Sequence, residues 1–160
     1  MAVDILLKID GVDGESVIAD HEGEIDVLSM DWGMSNSGTM HMGGGGGTGK
    51  VNVQDINITK YVDKSTPSLI RACCNGEHFT EAELIVRKAG KEALDYFKVK
   101  MAPVLITSVT TGGSGGEDRL TENVSLNFAK MDVVYVPQKE DGSGDAEVTL
   151  TFNIEKNIEE

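Results

Sequence analysis

The chain is poor in several things. Its 160 residues hold two cysteines, and these are neighbours, Cys73 and Cys74. Two thiols cannot make a disulfide framework, and ring strain disfavours a bond between adjacent residues. Basic residues are few: 14 Lys plus Arg stand against 27 Asp plus Glu, for a net charge of −13. Nucleic-acid binding is driven by neutralising phosphates, and anionic membranes attract basic segments, so no nucleic acid and no membrane is expected as a partner. No apolar run reaches the roughly 18 residues of a membrane helix, so membrane insertion is not expected. The start, Met1-Ala2-Val3-Asp4-Ile5-Leu6-Leu7-Lys8, lacks a basic n-region and does not read as a signal peptide. The expectation is a protein folded in the cytoplasm that, if secreted, leaves by a route independent of a signal peptide.

What is present points to a folded β protein. At 39% hydrophobic, with clear strand periodicity, the chain can offset its ordering entropy. Its length fits one domain over residues 1–160. The charge is unevenly placed: residues 1–31 carry a net −8, 32–100 a net +2, 101–138 a net −2 and 139–160 a net −5. Acid at both ends around a mildly basic middle suits a solvated surface, or a heterologous contact between copies that builds rings or filaments. Glycine is clustered too. Residues 43–49 hold six of the 19 glycines and 112–116 hold four, and each cluster separates segments that read as strands.

Val3 to Ile9 reads as an apolar strand. From Glu24 to Met34, Leu28, Met30, Trp32 and Met34 alternate with Ser29, Asp31 and Gly33, which predicts a strand with the first set facing the core. Val51 to Thr59 alternates with a phase slip that predicts a bulge near Gln54-Asp55. Residues 121–136 read as a long strand whose apolar phase changes near Lys130, which predicts a bulge or bend there. Val148, Leu150, Phe152 and Ile154 mark a final strand. One helix stands out, with Ser65-Thr66-Pro67 as a hydroxyl cap and first-turn proline and Asn75-Gly76 as a left-handed stop. Residues 80–100 read as a hairpin turning near Gly90-Lys91. One short helix with seven or more strands implies a closed or nearly closed barrel or a sandwich.

No motif supports catalysis, a metal or a cofactor. Gly44-Gly45-Gly46-Gly47-Thr48-Gly49-Lys50 resembles a phosphate-binding loop, but Val51 stands where the magnesium-binding hydroxyl is needed, and the loop leads into a strand. Met40-His41-Met42 has no further histidine at metal-site spacing, since His21 and His78 lie in unrelated segments. Cys73-Cys74 sits near a helix C-terminus, and a catalytic thiol needs a partner base that nothing here specifies. Ser108 and Ser114 lack a nucleophile-elbow context.

Longer strings carry more information. They are Glu24-Ile25-Asp26-Val27-Leu28 with Trp32-Gly33-Met34-Ser35, Met40-His41-Met42-Gly43, Lys50-Val51-Asn52-Val53-Gln54-Asp55, and Thr59 through Pro67. Arg87-Lys88-Ala89-Gly90 and the stretch from Thr111 to Asn123 ending in Leu126-Asn127-Phe128 complete the set. On these strings the chain resembles the Hcp (haemolysin-coregulated protein) family, the tail-tube subunit of bacterial type VI secretion systems, nearly end to end. The resemblance implies a mainly β fold: a compact β-barrel of two packed antiparallel sheets with one short flanking α-helix. It implies a homohexameric ring with a wide channel, and rings stacked into an inner tube that a contractile sheath expels behind a spike protein. Effector proteins would be carried or stabilised in the lumen. A secreted effector chaperone or adaptor ring that does not polymerise is the alternative.

Three sets of residues are candidates within that picture. The loop of Gly43, Gly44, Gly45, Gly46, Gly47, Thr48, Gly49 and Lys50 is expected to contact the next ring. Glu117, Asp118 and Arg119 are expected at a subunit contact. Ser29 and Asp31, pointing away from the core, are expected to face the lumen and its effectors.

Overall fold

Alternating side chains and few helix signals produce a structure built almost wholly from antiparallel strands. The computed structural model describes residues 2–38 and 50–160. In chain order the strands are β1 (Val3–Ile9), β2 (Ile25–Val27), β3 (Ser29–Asp31), β4 (Met34–Ser35), β5 (Asn52–Val53) and β6 (Ile56–Tyr61). The helix α1 (Thr66–Asn75) follows, then β7 (His78–Phe79), β8 (Ala82–Lys88), β9 (Leu94–Gly112), β10 (Thr121–Tyr135), β11 (Val148–Asn153) and β12 (Ile158–Glu159).

Ten of these strands belong to one sheet, with the path β12-β11-β10-β9-β8-β1-β2 and β6 branching from β10 to carry β3. The remaining pair, β4 and β5, forms a separate two-stranded sheet. The mainly β expectation holds, with one long bent sheet where two packed sheets were expected. The bend lets the sheet wrap around its own core. β2 pairs with β1, β3 pairs with β6, and the residue between them, Leu28, donates its N–H to the Thr59 carbonyl at 2.7 Å. The strands β1, β8, β9, β10 and β6 are thereby joined into a circuit through one continuous stretch of chain.

That change of partner corrects the expected phase at Leu28. Ile25 and Val27 are buried on β2, and Met30 and Trp32 pack against the core beyond it, so the inward phase shifts from odd to even positions across Leu28. Leu28 itself is exposed, as is Met34. The bulge expected near Gln54-Asp55 is a break between β5 and β6, which serve different sheets. The phase change expected near Lys130 occurs without any slip of register. Phe128 faces Val104 and Lys130 faces Ala102, so β9 and β10 change face together across Ala129 and Pro103. A true register shift lies earlier, between Ser125 and Leu126.

The core is lined by Leu7, Ile25, Ile56, Ile58, Leu84, Val99, Met101, Ile106, Val124 and Leu126, and α1 packs Leu69 and Ala72 against it. The helix runs over the expected ten residues. It stops at Gly76, whose φ of 71° is left-handed and whose N–H donates to the Ala72 carbonyl at 3.0 Å. Its start differs from expectation, because the Ser65 side chain makes no capping bond. The Ser65 hydroxyl donates to Asp63 Oδ1 instead, and that same oxygen accepts the Ser65 N–H at 2.9 Å. Asp63 therefore organises the turn into the helix as an Asx turn.

Beside that turn lies a buried ion pair. Lys60 on β6 and Glu122 on β10 are register partners on the core face, and both are 0% exposed. Lys60 Nζ donates to Glu122 Oε1 at 2.5 Å, to Asp63 Oδ1 at 2.9 Å and to the Tyr61 carbonyl at 3.0 Å. The Thr66 hydroxyl donates to Glu122 Oε1 at 2.7 Å, and the Thr111 hydroxyl donates to Oε2 at 3.2 Å. A charge with no water around it persists only when paired and hydrogen-bonded, and this one ties β6, β9, β10 and the amino end of α1 together.

Candidate functional site

The sheet segment β3-β6-β10-β9 has two unlike faces. Its inner face carries Met30, Ile58, Val124 and Val109 in successive register positions. The period-two alternation of strands therefore sends Asp31, Asn57, Ser125 and Ser108 to the outer face in one row, and Ser29, Thr59, Asn123 and Thr110 in the next. The outer face is thus built from hydroxyls, amides and the carboxylates of Asp31 and Asp55.

These groups bond to one another across the strands. The Ser108 hydroxyl donates to Ser125 Oγ at 3.0 Å, the Ser125 hydroxyl donates to Asn57 Oδ1, and Asn57 Nδ2 donates to Asp31 Oδ1 at 3.0 Å. The row is a single chain of donors running over four strands and ending on a carboxylate. Each bond polarises the next. In the neighbouring row the Thr59 hydroxyl donates to Asn123 Oδ1 at 2.7 Å. At the far end Asn127 Nδ2 and the Thr107 hydroxyl donate to the two oxygens of Asp55, at 2.8 and 2.6 Å.

Of the residues singled out from the sequence, Ser29 and Asp31 both lie exposed on this face, and Asp31 terminates the donor chain. Asn57, Ser125 and Ser108 belong to the same row and were not singled out. Their signal was the polar phase of β6, β9 and β10, which becomes informative only once the strands are paired.

Glu117, Asp118 and Arg119 lie in the exposed loop between β9 and β10, beside the outer end of the same face. The Arg119 guanidinium sits over the Tyr61 ring, 4.0 Å from its centroid, a cation–π contact within the chain. It lies close enough to Asp26 to favour that carboxylate. Although Asp26 is exposed, partial desolvation of its carboxyl nevertheless raises its pKa above the ordinary value, and the charges of Asp63 and Asp4 push the same way. Gly43, Gly44, Gly45, Gly46, Gly47, Thr48 and Gly49 lie outside the described residues. Lys50 is described and exposed, just before β5.

A second surface is apolar. On β10 and β11, Met131 faces Phe152, Val133 faces Leu150 and Tyr135 faces Val148. This strip fades from the core outward: Met131 is buried, while Tyr135, Leu150 and Val148 are exposed, Val148 at 64%. The end of the chain therefore has the strand periodicity expected of it, with part of its apolar phase uncovered. At the other end of the sheet path Val3 and Leu28 are exposed as well. Among the described residues, no group of three or more His, Cys, Asp or Glu could hold a metal, and no helix is long and apolar enough to cross a membrane.

Comparison with known proteins agrees with this architecture. The family described as type VI secretion system effector, Hcp, matches residues 6–135. The chain is 57% identical over 161 residues to Protein hcp1 of Pseudomonas aeruginosa strain PAO1, covering 99% of each. A solved type six secretion system protein superposes with a TM-score of 0.93 at 28% identity, covering 99% of this chain and all of the other. Hcp1 of Salmonella typhimurium superposes with a TM-score of 0.82 at 36% identity over the full length of both.

Proposed function

Because this chain belongs to the Hcp family of type VI secretion proteins, we propose that it is the structural subunit of the expelled inner tube. Copies join into homohexameric rings, rings stack, and effector proteins travel in the lumen. The spike protein caps the tube and a contractile sheath drives it. The role is mechanical rather than enzymatic. The subunit is made in the cytoplasm and leaves through the apparatus.

The observation that carries this reading is the presence of uncovered apolar side chains at two separate places on one sheet. Val148, Leu150 and Tyr135 stand on β11 and β10, and Val3 and Leu28 stand on β1 and at the β2–β3 join. Two different patches on one chain make a head-to-tail contact, and a head-to-tail contact with the right rotation closes a ring. Burying these side chains between copies gains about 25 cal/mol per Å² of apolar area removed from water. A Val148→Asp/Leu150→Asp variant should remain folded by circular dichroism and sediment as a monomer. Hexameric rings of that variant, seen by electron microscopy, would refute the assignment of this interface.

The polar face of β3, β6, β10 and β9 is proposed as the lumen wall, with Ser29 and Asp31 in contact with effectors. A conduit for proteins must not hold its cargo by apolar burial, and a face of hydroxyls and amides meets that need. Asp31→Lys should alter the amount of effector retained by purified rings without dissolving them. Unchanged cargo would count against the assignment. Glu117, Asp118 and Arg119 are proposed at the subunit boundary. The 43–50 loop is proposed at the ring–ring contact, where deleting residues 44–47 should leave rings intact and impair tubes.

A further inference from the structure

The segment between β1 and β2 does more than connect them. Leu6 and Ile85 are register partners on β1 and β8 and face away from the barrel core, opposite to Leu7 and Leu84. They are nevertheless buried, at 0% and 2% exposed. Residues 11–24 form a strap across that side of the sheet. Its two limbs are tied by backbone bonds, with the Gly14 N–H donating to Gly23 O at 2.7 Å and the Ser16 N–H to Glu24 O at 2.9 Å. Arg87 of β8 donates from Nη1 to the Ala19 carbonyl at 2.7 Å.

The strap is fastened to β9 by one ring. His21 is 8% exposed, with Nδ1 2.7 Å from Glu24 Oε2 and Nε2 2.9 Å from Asp95 Oδ2. Ionised carboxylates accept hydrogen bonds and cannot donate them, while a neutral imidazole donates from only one nitrogen. Two carboxylates at these distances therefore require protons on both ring nitrogens. The other oxygens, Glu24 Oε1 and Asp95 Oδ1, are buried without a hydrogen-bond partner.

The charges complete the picture. Glu24 and Asp95 face the ring, Arg87 Nε lies 3.8 Å from Asp95, and Asp4 of β1 stands opposite Arg87 in register. Asp20 and Glu22 flank the ring on the strap itself. With the imidazolium present, the four groups His21, Glu24, Asp95 and Arg87 are neutral as a set. Without it they carry an excess negative charge, and a ring lone pair faces a carboxylate.

We propose that His21 is a proton-operated latch: as an imidazolium it fastens the 11–24 strap over β8 and β9, and on losing its proton it lets the strap lift and uncover Leu6 and Ile85. Burial works against the charged ring, but the hydrogen bonds and charges of Glu24 and Asp95 outweigh it, holding the His21 pKa above its ordinary value of 6.5. The sign of the linkage follows. The stability that the latch adds is complete below about pH 6.5 and is lost as pH rises through the folded-state value.

The test is an NMR titration of the His21 ring, assigned by loss of its signals in His21→Gln, combined with hydrogen exchange of the strap amides. The expected result is a midpoint above 6.5. The bonded amides of Gly14, Ser16 and Gly23 should lose protection about tenfold for each unit of pH between 6.5 and that midpoint, and level off above it, relative to the β8–β9 amides. His21→Gln should show no such pH step. Should that variant fail to fold, Asp95→Asn leaves the ring one charged acceptor and should lower the His21 midpoint. A midpoint at or below 6.5, strap exchange that tracks the β8–β9 amides throughout, or an unmoved midpoint in Asp95→Asn would each overturn the latch.

Discussion

Replacing Lys60 by Met tests whether the buried ion pair governs stability. Lys60 Nζ is the common donor to Glu122, Asp63 and the Tyr61 carbonyl, and it has no exposed surface. Methionine fills nearly the same volume, so little cavity forms, and what is lost is the charge. Glu122 and Asp63 are then both stranded, with the positive end of α1 as the main compensation nearby. Removing one partner of a buried pair costs about 3–5 kcal/mol. For a chain of this size each kcal/mol moves Tm by about 2–4 °C, so a fall of roughly 6–20 °C is expected. Glu122→Leu should cost less than Lys60→Met, because Lys60 keeps Asp63 as its counter-charge. The double variant Lys60→Met/Glu122→Leu should recover part of the loss, since one stranded carboxylate is gone while Asp63 remains. Urea denaturation at neutral pH gives the magnitudes, and repeating it under mild acid separates charge from shape. Acid neutralises the stranded carboxylates, so the Lys60→Met penalty should shrink as pH falls. A penalty under about 1 kcal/mol, or one that does not change with pH, would refute the electrostatic account.

Three further outcomes follow from named contacts. A Cβ on Gly14 would lie 2.3 Å from the Glu24 carbonyl oxygen, so Gly14→Ala should lower stability by about 1–3 kcal/mol in a thermal melt. Leu69 is the fully buried anchor of α1; Leu69→Ala should cost about 2–5 kcal/mol by denaturant titration. Asp26 has a pKa raised by partial desolvation and by Asp63 and Asp4, so the folded state binds its proton more tightly than the unfolded chain does. That contribution to stability should grow as pH falls through the raised value and level off below about 3.8. Asp26→Asn should remove this dependence, read as the difference between thermal melts of the two proteins across that window.

The elements were readable in the sequence where one physical signal acted alone. Val3–Ile9 followed from its apolar run, Val148–Asn153 from alternation, and α1 from Pro67 and the Asn75-Gly76 stop. Leu28 was misread because alternation was assumed to continue through it. A strand that changes partners can reverse its inward phase in one residue, and no local pattern records that. The Lys130 phase change was seen, but its cause lay in β9, about 27 residues away in sequence, which turns over in the same place. Nothing local marked Lys60, Glu122 and His21 as buried, because burial of a charge depends on partners distant in the chain. Asp31 was placed correctly as outward-facing, whereas its donor chain needed four strands in register before it existed.

That donor chain has a consequence for anything that slides past it. A surface of serine and asparagine is ordinarily indifferent, able to give or to take a hydrogen bond. Here the Ser108 and Ser125 hydroxyl protons and one Asn57 amide proton are all spent inside the row. What the row still presents is largely lone pairs, most of all those of the Asp31 carboxylate. A passing polypeptide would be greeted through its N–H groups and its lysines, and its own carbonyls and carboxylates would find little to hold. The face has a chemical grain, set by the direction in which three protons point.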